Sequence, residues 1–152
     1  MRTLGTANSN GLEPIRMSFS VDKGDFQKAG EASSKVKNTL LQLGFPAEII
    51  RRIAIATYEA EMNIVIHSLG GVIDVDILPD RVIITAADCG PGIPNLDLAM
   101  EEGYSTAPEH IREMGFGAGM GLPNMRNCSD EFHIESLLNV GTTVRLVITV
   151  KE

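Results

Sequence analysis

The sequence predicts a two-layer α/β sandwich, in which a mostly antiparallel mixed sheet carries its helices on one face. Three observations support this. Apolar residues recur at helical spacing as far as Ser68, the period switches to strand alternation after Gly70-Gly71, and adjacent strands are joined by short turns in two places. The 152 residues, 43% of them hydrophobic and 22% charged, suit one domain able to bury a core of its own.

Residues 1–12 are polar and rich in Gly and Asn, which predicts a disordered lead-in followed by a single domain over 13–152. Met17, Phe19 and Val21 alternate with polar residues as in a strand. Asp25 is placed to cap a helix whose apolar positions are Phe26, Ala29, Val36, Leu40 and Leu43, with Gly44 as a left-handed C-terminal cap. Pro46 suits the first turn of a second helix running to about Ser68. Ile73, Val75 and Ile77 then alternate with Asp74 and Asp76. Pro79-Asp80 turns the chain into residues 82–87, the second strand of a hairpin. From Asp88 to Gly121 the chain is polar and Gly-rich, far longer than an ordinary connection, and such loops usually serve function. A short helix over 122–129, a strand over 132–136, the Asn139-Val140-Gly141 turn and a last strand holding Val144, Leu146, Ile148 and Val150 complete the chain.

A net charge of -7 argues against nucleic acid or an anionic membrane as the main partner and fits a protein partner. Residues 1–11 lack the apolar core of a signal peptide. The apolar stretch 49–66 is broken by Arg51, Arg52, Glu59, Glu61 and Asn63, so it cannot span a bilayer. Two cysteines, Cys89 and Cys128, are too few for a disulfide framework and lack metal-ligand spacing. A cytoplasmic protein is expected.

Three segments carry chemistry. Glu59, Asn63 and His67 stand at successive i, i+4 positions, one line along an otherwise apolar helix. Asn63 offers a hard oxygen suited to Mg²⁺, and Glu59 a carboxylate able to orient or deprotonate a nucleophile. A solvated helix edge, with His67 satisfying the helix C-terminus, accounts for this segment equally well on its own. Asp88-Cys89-Gly90-Pro91-Gly92-Ile93-Pro94 follows a buried strand directly. Its glycines admit a ligand close to the backbone, and an Asp acceptor suits an exocyclic amine such as that of adenine. A plain Gly-Pro turn remains open there. In Gly115-Phe116-Gly117-Ala118-Gly119-Met120-Gly121-Leu122, four alternating glycines run into a predicted helix, whose N–H groups make an anion site suited to phosphates. This is neither a P-loop nor a dinucleotide fingerprint, and alone it also reads as a hinge.

In this order and spacing the segments resemble the GHKL ATPases, the superfamily of gyrase, the large heat-shock chaperone, histidine kinases and MutL. Residues 59–67 are similar to its N box, Asp88-Cys89-Gly90-Pro91-Gly92 to its D-x-G-x-G box, 117–122 to its G-x-G-x-G-L box, and Gly141-Thr142-Thr143-Val144 to its closing G-T-x-V element. The resemblance runs over about 15–150 and is strongest to anti-sigma-factor and partner-switching serine kinases. Ile93-Pro94, Leu98-Ala99-Met100, Gly103-Tyr104-Ser105-Thr106 and Asp130-Glu131-Phe132 resemble the stressosome switch kinases.

The resemblance implies a Bergerat ATP-binding fold, like the ATPase domain of histidine kinases, with ATP and Mg²⁺ as cofactors. It places Asp88 on the adenine amine, with Thr142 in support and Gly90, Gly92 and Ile93 shaping that pocket. Asn63 would hold Mg²⁺, Glu59 would be the general base, and Gly117, Gly119, Gly121 and Leu122 would cradle phosphates. Residues 95–118 would be a mobile ATP lid in which Arg112, by position, reaches the γ-phosphate. An extra stretch over 107–114 sets this lid apart from its nearest counterparts.

Transfer of phosphate to a Ser or Thr of a small antagonist protein is the implied reaction, with a sigma factor or another regulator as a further partner and a homodimer compatible with the resemblance. The competing function is an ATP-gated binding protein that switches partners without phosphotransfer. Glu59 favours the kinase, since a pure binder needs no base. A detached histidine-kinase domain is disfavoured, because His67, His110 and His133 lie in the N box, the lid and a strand, and none is placed as an acceptor. Oxidation of Cys89 or Cys128 would offer redox control, although small buried thiols are more often inert. Met100, Met114, Met120 and Met125 read as core or lid packing.

Overall fold

The computed structural model describes residues 14–101 and 121–150. The expected lead-in over 1–12, most of the expected lid, and Arg112, Gly117 and Gly119 lie outside them.

Five strands form one sheet in the order β1-β2-β3-β5-β4: β1 (Ile15–Val21), β2 (Gly71–Ile77), β3 (Arg81–Asp88), β4 (Glu131–Leu137) and β5 (Gly141–Thr149). All four pairings among the described strands are antiparallel. In β2, Ile73, Val75 and Ile77 are buried, while Asp74 and Asp76 point to the opposite face. There the register sets Arg16 against Asp76 and Ser18 against Asp74. The guanidinium forks onto Asp76 at 2.7 and 3.0 Å, and the Ser18 hydroxyl donates to Asp74 at 2.6 Å. One face of the sheet is therefore polar, and the other carries the helices.

The helices are α1 (Glu31–Gln42), α2 (Ala47–His67), the single turn α3 (Leu96–Ala99) and α4 (Gly121–Cys128). Leu40 of α1, Ile53 and Ile64 of α2 and Met125 of α4 are fully buried against Ile73, Ile84, Leu146 and Ile148 of the sheet. Among the described residues no helix is long and apolar enough to cross a membrane.

Two boundaries differ from the sequence expectation. Asp25 does not open α1. Its carboxylate accepts from the Lys28 N–H at 3.2 Å, stabilising a turn, and the helix begins only after Gly30, whose φ of 99° interrupts helical geometry. Pro46 is the N-cap of α2 rather than its first helical residue. The other end of α1 closes as expected. Gly44 is left-handed at φ 79°, and its N–H and that of Phe45 return to the carbonyls of Leu41 and Leu40, both at 3.1 Å, which is a Schellman closure.

Gly30 supplies no side-chain cap, so the orphan N–H groups at the start of α1 find a partner elsewhere in the fold. Glu61, 3% exposed in the middle of α2, accepts from the N–H groups of Ala32 at 3.2 Å and Ser33 at 3.3 Å. Glu61 is thus the joint between the two helices, a role that spacing along the chain does not reveal.

Candidate functional site

β3 ends on Asp88, and the chain around it is built from residues without side chains. Gly71 on β2 is the register partner of Asp88, and a Cβ there would run into the Ala87 carbonyl. A Cβ at Gly141, where β5 begins, would run into the Asp88 carbonyl itself. These close approaches bring the Thr142 N–H onto Asp88 Oδ1 at 3.1 Å. Burial pushes the Asp88 carboxyl above its ordinary pKa, and the Thr142 N–H pulls the other way. With Oδ1 held by the backbone, no hydrogen bond among the described residues occupies Oδ2.

The segment after Asp88 is tied to two neighbours. Towards α2, the Cys89 N–H donates to the Gly70 carbonyl at 3.0 Å and the Leu69 N–H to the Cys89 carbonyl at 2.7 Å. Towards the β4–β5 turn, the Gly90 N–H donates to the Val140 carbonyl at 3.3 Å and the Asn139 N–H to the Pro91 carbonyl at 2.8 Å. Gly90 packs on Ser68, and Gly92, left-handed at φ 78°, packs on the backbone of Leu137. Sequence reasoning missed two serines here. Ser136 faces Thr142 across β4 and β5, shares a 2.8 Å hydrogen bond with its hydroxyl, and accepts from the Ile93 N–H at 2.7 Å. Ser68 is 3% exposed, donates to the Ile64 carbonyl at 2.8 Å and accepts from the Gly70 N–H at 3.0 Å, closing α2. Ser136 left one sequence signal, a polar residue on the inward parity of its strand.

Glu59 and Asn63 are half-buried on α2. Asn124 of α4 donates its amide N–H to Glu59 Oε2 at 2.9 Å, and a Cβ on Gly121 would lie 3.7 Å from Glu59 Oε1. The end of the glycine segment and the candidate base are therefore neighbours. Among the described residues no hydrogen bond occupies the Asn63 amide. Its oxygen is available to a hard cation, and no cluster of three His, Cys, Asp or Glu competes for one among the described residues. Mg²⁺ commonly keeps several waters and takes its other ligands from phosphates, so a single amide oxygen fits such an ion. Burial lowers the pKa of His67, which keeps its ring neutral at physiological pH.

α4 is fixed at its far end by Arg52, whose Nε donates to the Cys128 carbonyl at 3.0 Å and whose Nη2 reaches Asp130 Oδ2 at 3.3 Å. Asp130 also accepts from the Thr149 N–H at 2.7 Å, joining α2, α4 and the sheet. Cys128, beside it, is half-buried, and burial raises its thiol pKa, which disfavours the reactive thiolate. Cys89 is exposed.

The structure thus links the first segment to the third, the end of its helix to the second, and the second to the closing Gly141-Thr142 element. Glu59 meets Gly121, Ser68 and Leu69 at the end of α2 meet the Asp88 segment, and Asp88 meets Thr142. A family model described as histidine kinase-, DNA gyrase B- and HSP90-like ATPase matches residues 48–152. The chain belongs to this ATPase family. As a member it uses ATP. The serine/threonine-protein kinase RsbT of Bacillus subtilis (strain 168) is 33% identical over 115 residues, 73% of this chain and 80% of that protein. The anti-sigma F factor of Geobacillus stearothermophilus is 34% identical over 111 residues, 69% of this chain and 73% of that one. The solved RsbU and RsbW domains of Rv1364c from Mycobacterium tuberculosis share the fold, with a TM-score of 0.60 at 18% identity, over 91% of this chain and 33% of that one.

Proposed function

We propose that this member of the ATPase family is a protein serine/threonine kinase of a partner-switching system, phosphorylating a small antagonist protein. One observation carries the reading: most of the chain aligns with most of a serine/threonine kinase and of an anti-sigma factor, and a carboxylate, Glu59, stands where the glycine segment enters α4.

In this mechanism Asp88 Oδ2 accepts from the adenine amine, while Thr142 and Ser136 hold the carboxylate and the Ile93 backbone in place. Gly90, Gly92 and Ile93 shape the base pocket. Gly121 and Leu122, and by the family resemblance Gly117 and Gly119, would offer backbone N–H groups to the phosphates. Asn63 would hold Mg²⁺, which would neutralise phosphate charge, and Arg112 would contribute to the γ-phosphate. Glu59 takes the proton of the acceptor hydroxyl as its oxygen bonds to the γ-phosphorus; the bond to the bridging oxygen breaks and ADP leaves. The partner is a protein carrying a Ser or Thr, a sigma factor or similar regulator binds the same protein, and the active species is a homodimer in the cytoplasm.

A second reading is favoured by one contact. Glu59 Oε2 is already held by Asn124, so Glu59 also has a structural role, as an ATP-gated binder without phosphotransfer would need. Capture of partners from native lysate with and without ATP–Mg²⁺, using ATP labelled at the γ-phosphate, separates the two. Label on a partner Ser or Thr that disappears in Glu59→Ala, with ATP affinity retained, supports the kinase. Unlabelled partners that still exchange with ATP support the binder.

A further inference from the structure

The face of α2 that carries Glu59 is the face on which α4 packs. Leu122 and Met125 of α4 enter the core, at 7% and 0% exposure, and fix how the helix is rotated about its axis. Arg52, seven residues and two turns before Glu59 on α2, holds the last turn of α4 through the Cys128 carbonyl. Asn124 is then presented to Glu59 by a short helix anchored on both sides.

We propose that Asn124 is the positioning residue of the base, a role that rests on the kinase reading of Glu59. Its amide N–H donates to Oε2 at 2.9 Å, and the amide cannot turn over, because its oxygen would then face a carboxylate oxygen. Holding Oε2 directs the other oxygen, Oε1, towards Gly121, where the backbone enters α4. The contact selects one carboxylate rotamer from several, so the accepting oxygen is already aimed.

The test compares Asn124→Ala, Asn124→Asp and Asn124→Gln with Glu59→Ala, measuring kcat, KM for ATP and the melting temperature. Asn124→Ala is expected to lower kcat about tenfold with KM for ATP changed less than about twofold, the size of one lost hydrogen bond to a charged group. Asn124→Asp, of nearly the same shape, should lower kcat at least as far because it sets an acceptor against Oε2, and Asn124→Gln, which keeps a donor, should recover part of the rate. On a Glu59→Ala background, Asn124→Ala should cost nothing more. If Glu59→Ala keeps full transfer activity, the kinase reading of Glu59 is lost and this proposal with it. If Glu59→Ala is inactive while folded Asn124→Ala and Asn124→Asp retain wild-type kcat, the positioning role alone is overturned. Should Asn124→Ala not fold, the Asp and Gln variants decide by the same readouts.

Discussion

Asp88 and Glu61 are both half- to fully buried carboxylates in a chain of net charge -7, and they do different work. Asp88 gives one oxygen to the Thr142 N–H, which demands an oxygen at that position. In Asp88→Asn the carboxamide keeps its oxygen there and turns its NH₂ towards the ligand, donor against the adenine amine. ATP affinity in a titration should fall about 10- to 100-fold, the cost of one charge-assisted hydrogen bond, with the melting temperature little changed. Glu61 instead caps α1 from inside the core. Burial lifts its carboxyl above the ordinary value, so the folded state holds that proton more tightly than the unfolded chain does. Its stability contribution is therefore greatest below the ordinary glutamate value and declines as pH rises through the folded value. Measured against Glu61→Gln, which does not titrate, the wild-type melting temperature should gain as pH falls from neutral towards 4.5. His67 and Asp88 titrate alike in both proteins and cancel in the difference. Glu61→Ala should cost about 2 kcal/mol in denaturant unfolding at neutral pH, since it strands the N–H groups of Ala32 and Ser33.

Among the elements, the two long helices owe their positions to polar joints that sequence periodicity cannot express. α1 reads clearly at its C-terminus, where Gly44 forms a local motif, and misleads at its N-terminus, where Asp25 has the composition of a cap but Gly30 ends the preceding turn. The true cap, Glu61, is 29 residues from Ala32 along the chain. α4 depends in the same way on Arg52, an apparent interruption of an apolar helix. Arg52→Leu should remove the donor to the Cys128 carbonyl and one of the partners of Asp130, and loosen α4. We expect a loss of about 1–3 kcal/mol in chemical unfolding, with faster hydrogen exchange in 121–128 than in β2 and β3.

Across the whole molecule, the β4–β5 turn, the end of β3 and the end of α2 converge around Asp88, the residue proposed to take the adenine amine. Gly141 is central, because its φ of 153° and its contact with the Asp88 carbonyl leave no room for a side chain. Gly141→Ala should destabilise the fold by at least about 1–3 kcal/mol from backbone strain alone and weaken ATP binding in the same titration. A folded Gly141→Ala protein with unchanged ATP affinity would show that the Asp88–Thr142 contact is not set by this close approach.

The sheet, its hairpins and the helix termini at Gly44 and His67 were legible because their signals are local: alternation, turn residues and caps act within a few residues. Asp88, Thr142 and the end of the glycine segment were legible as motifs in a fixed order, which is enough to identify ATP as the ligand class. The partners of those residues were not legible. Asn124 reaches Glu59 across 65 positions, Ser136 reaches Ile93 across 43, and Arg52 reaches Cys128 across 76. A Ser, an Asn or an Arg on a half-buried face has many possible partners, and only the packing of α4 on α2 and of β4 on β5 selects one. The sequence by itself determined which elements form and which nucleotide they serve, because propensity and motif are properties of short stretches. The tertiary structure decided which polar groups hold the chemistry in place, because unmet hydrogen bonds in a buried interior are settled only when distant segments meet.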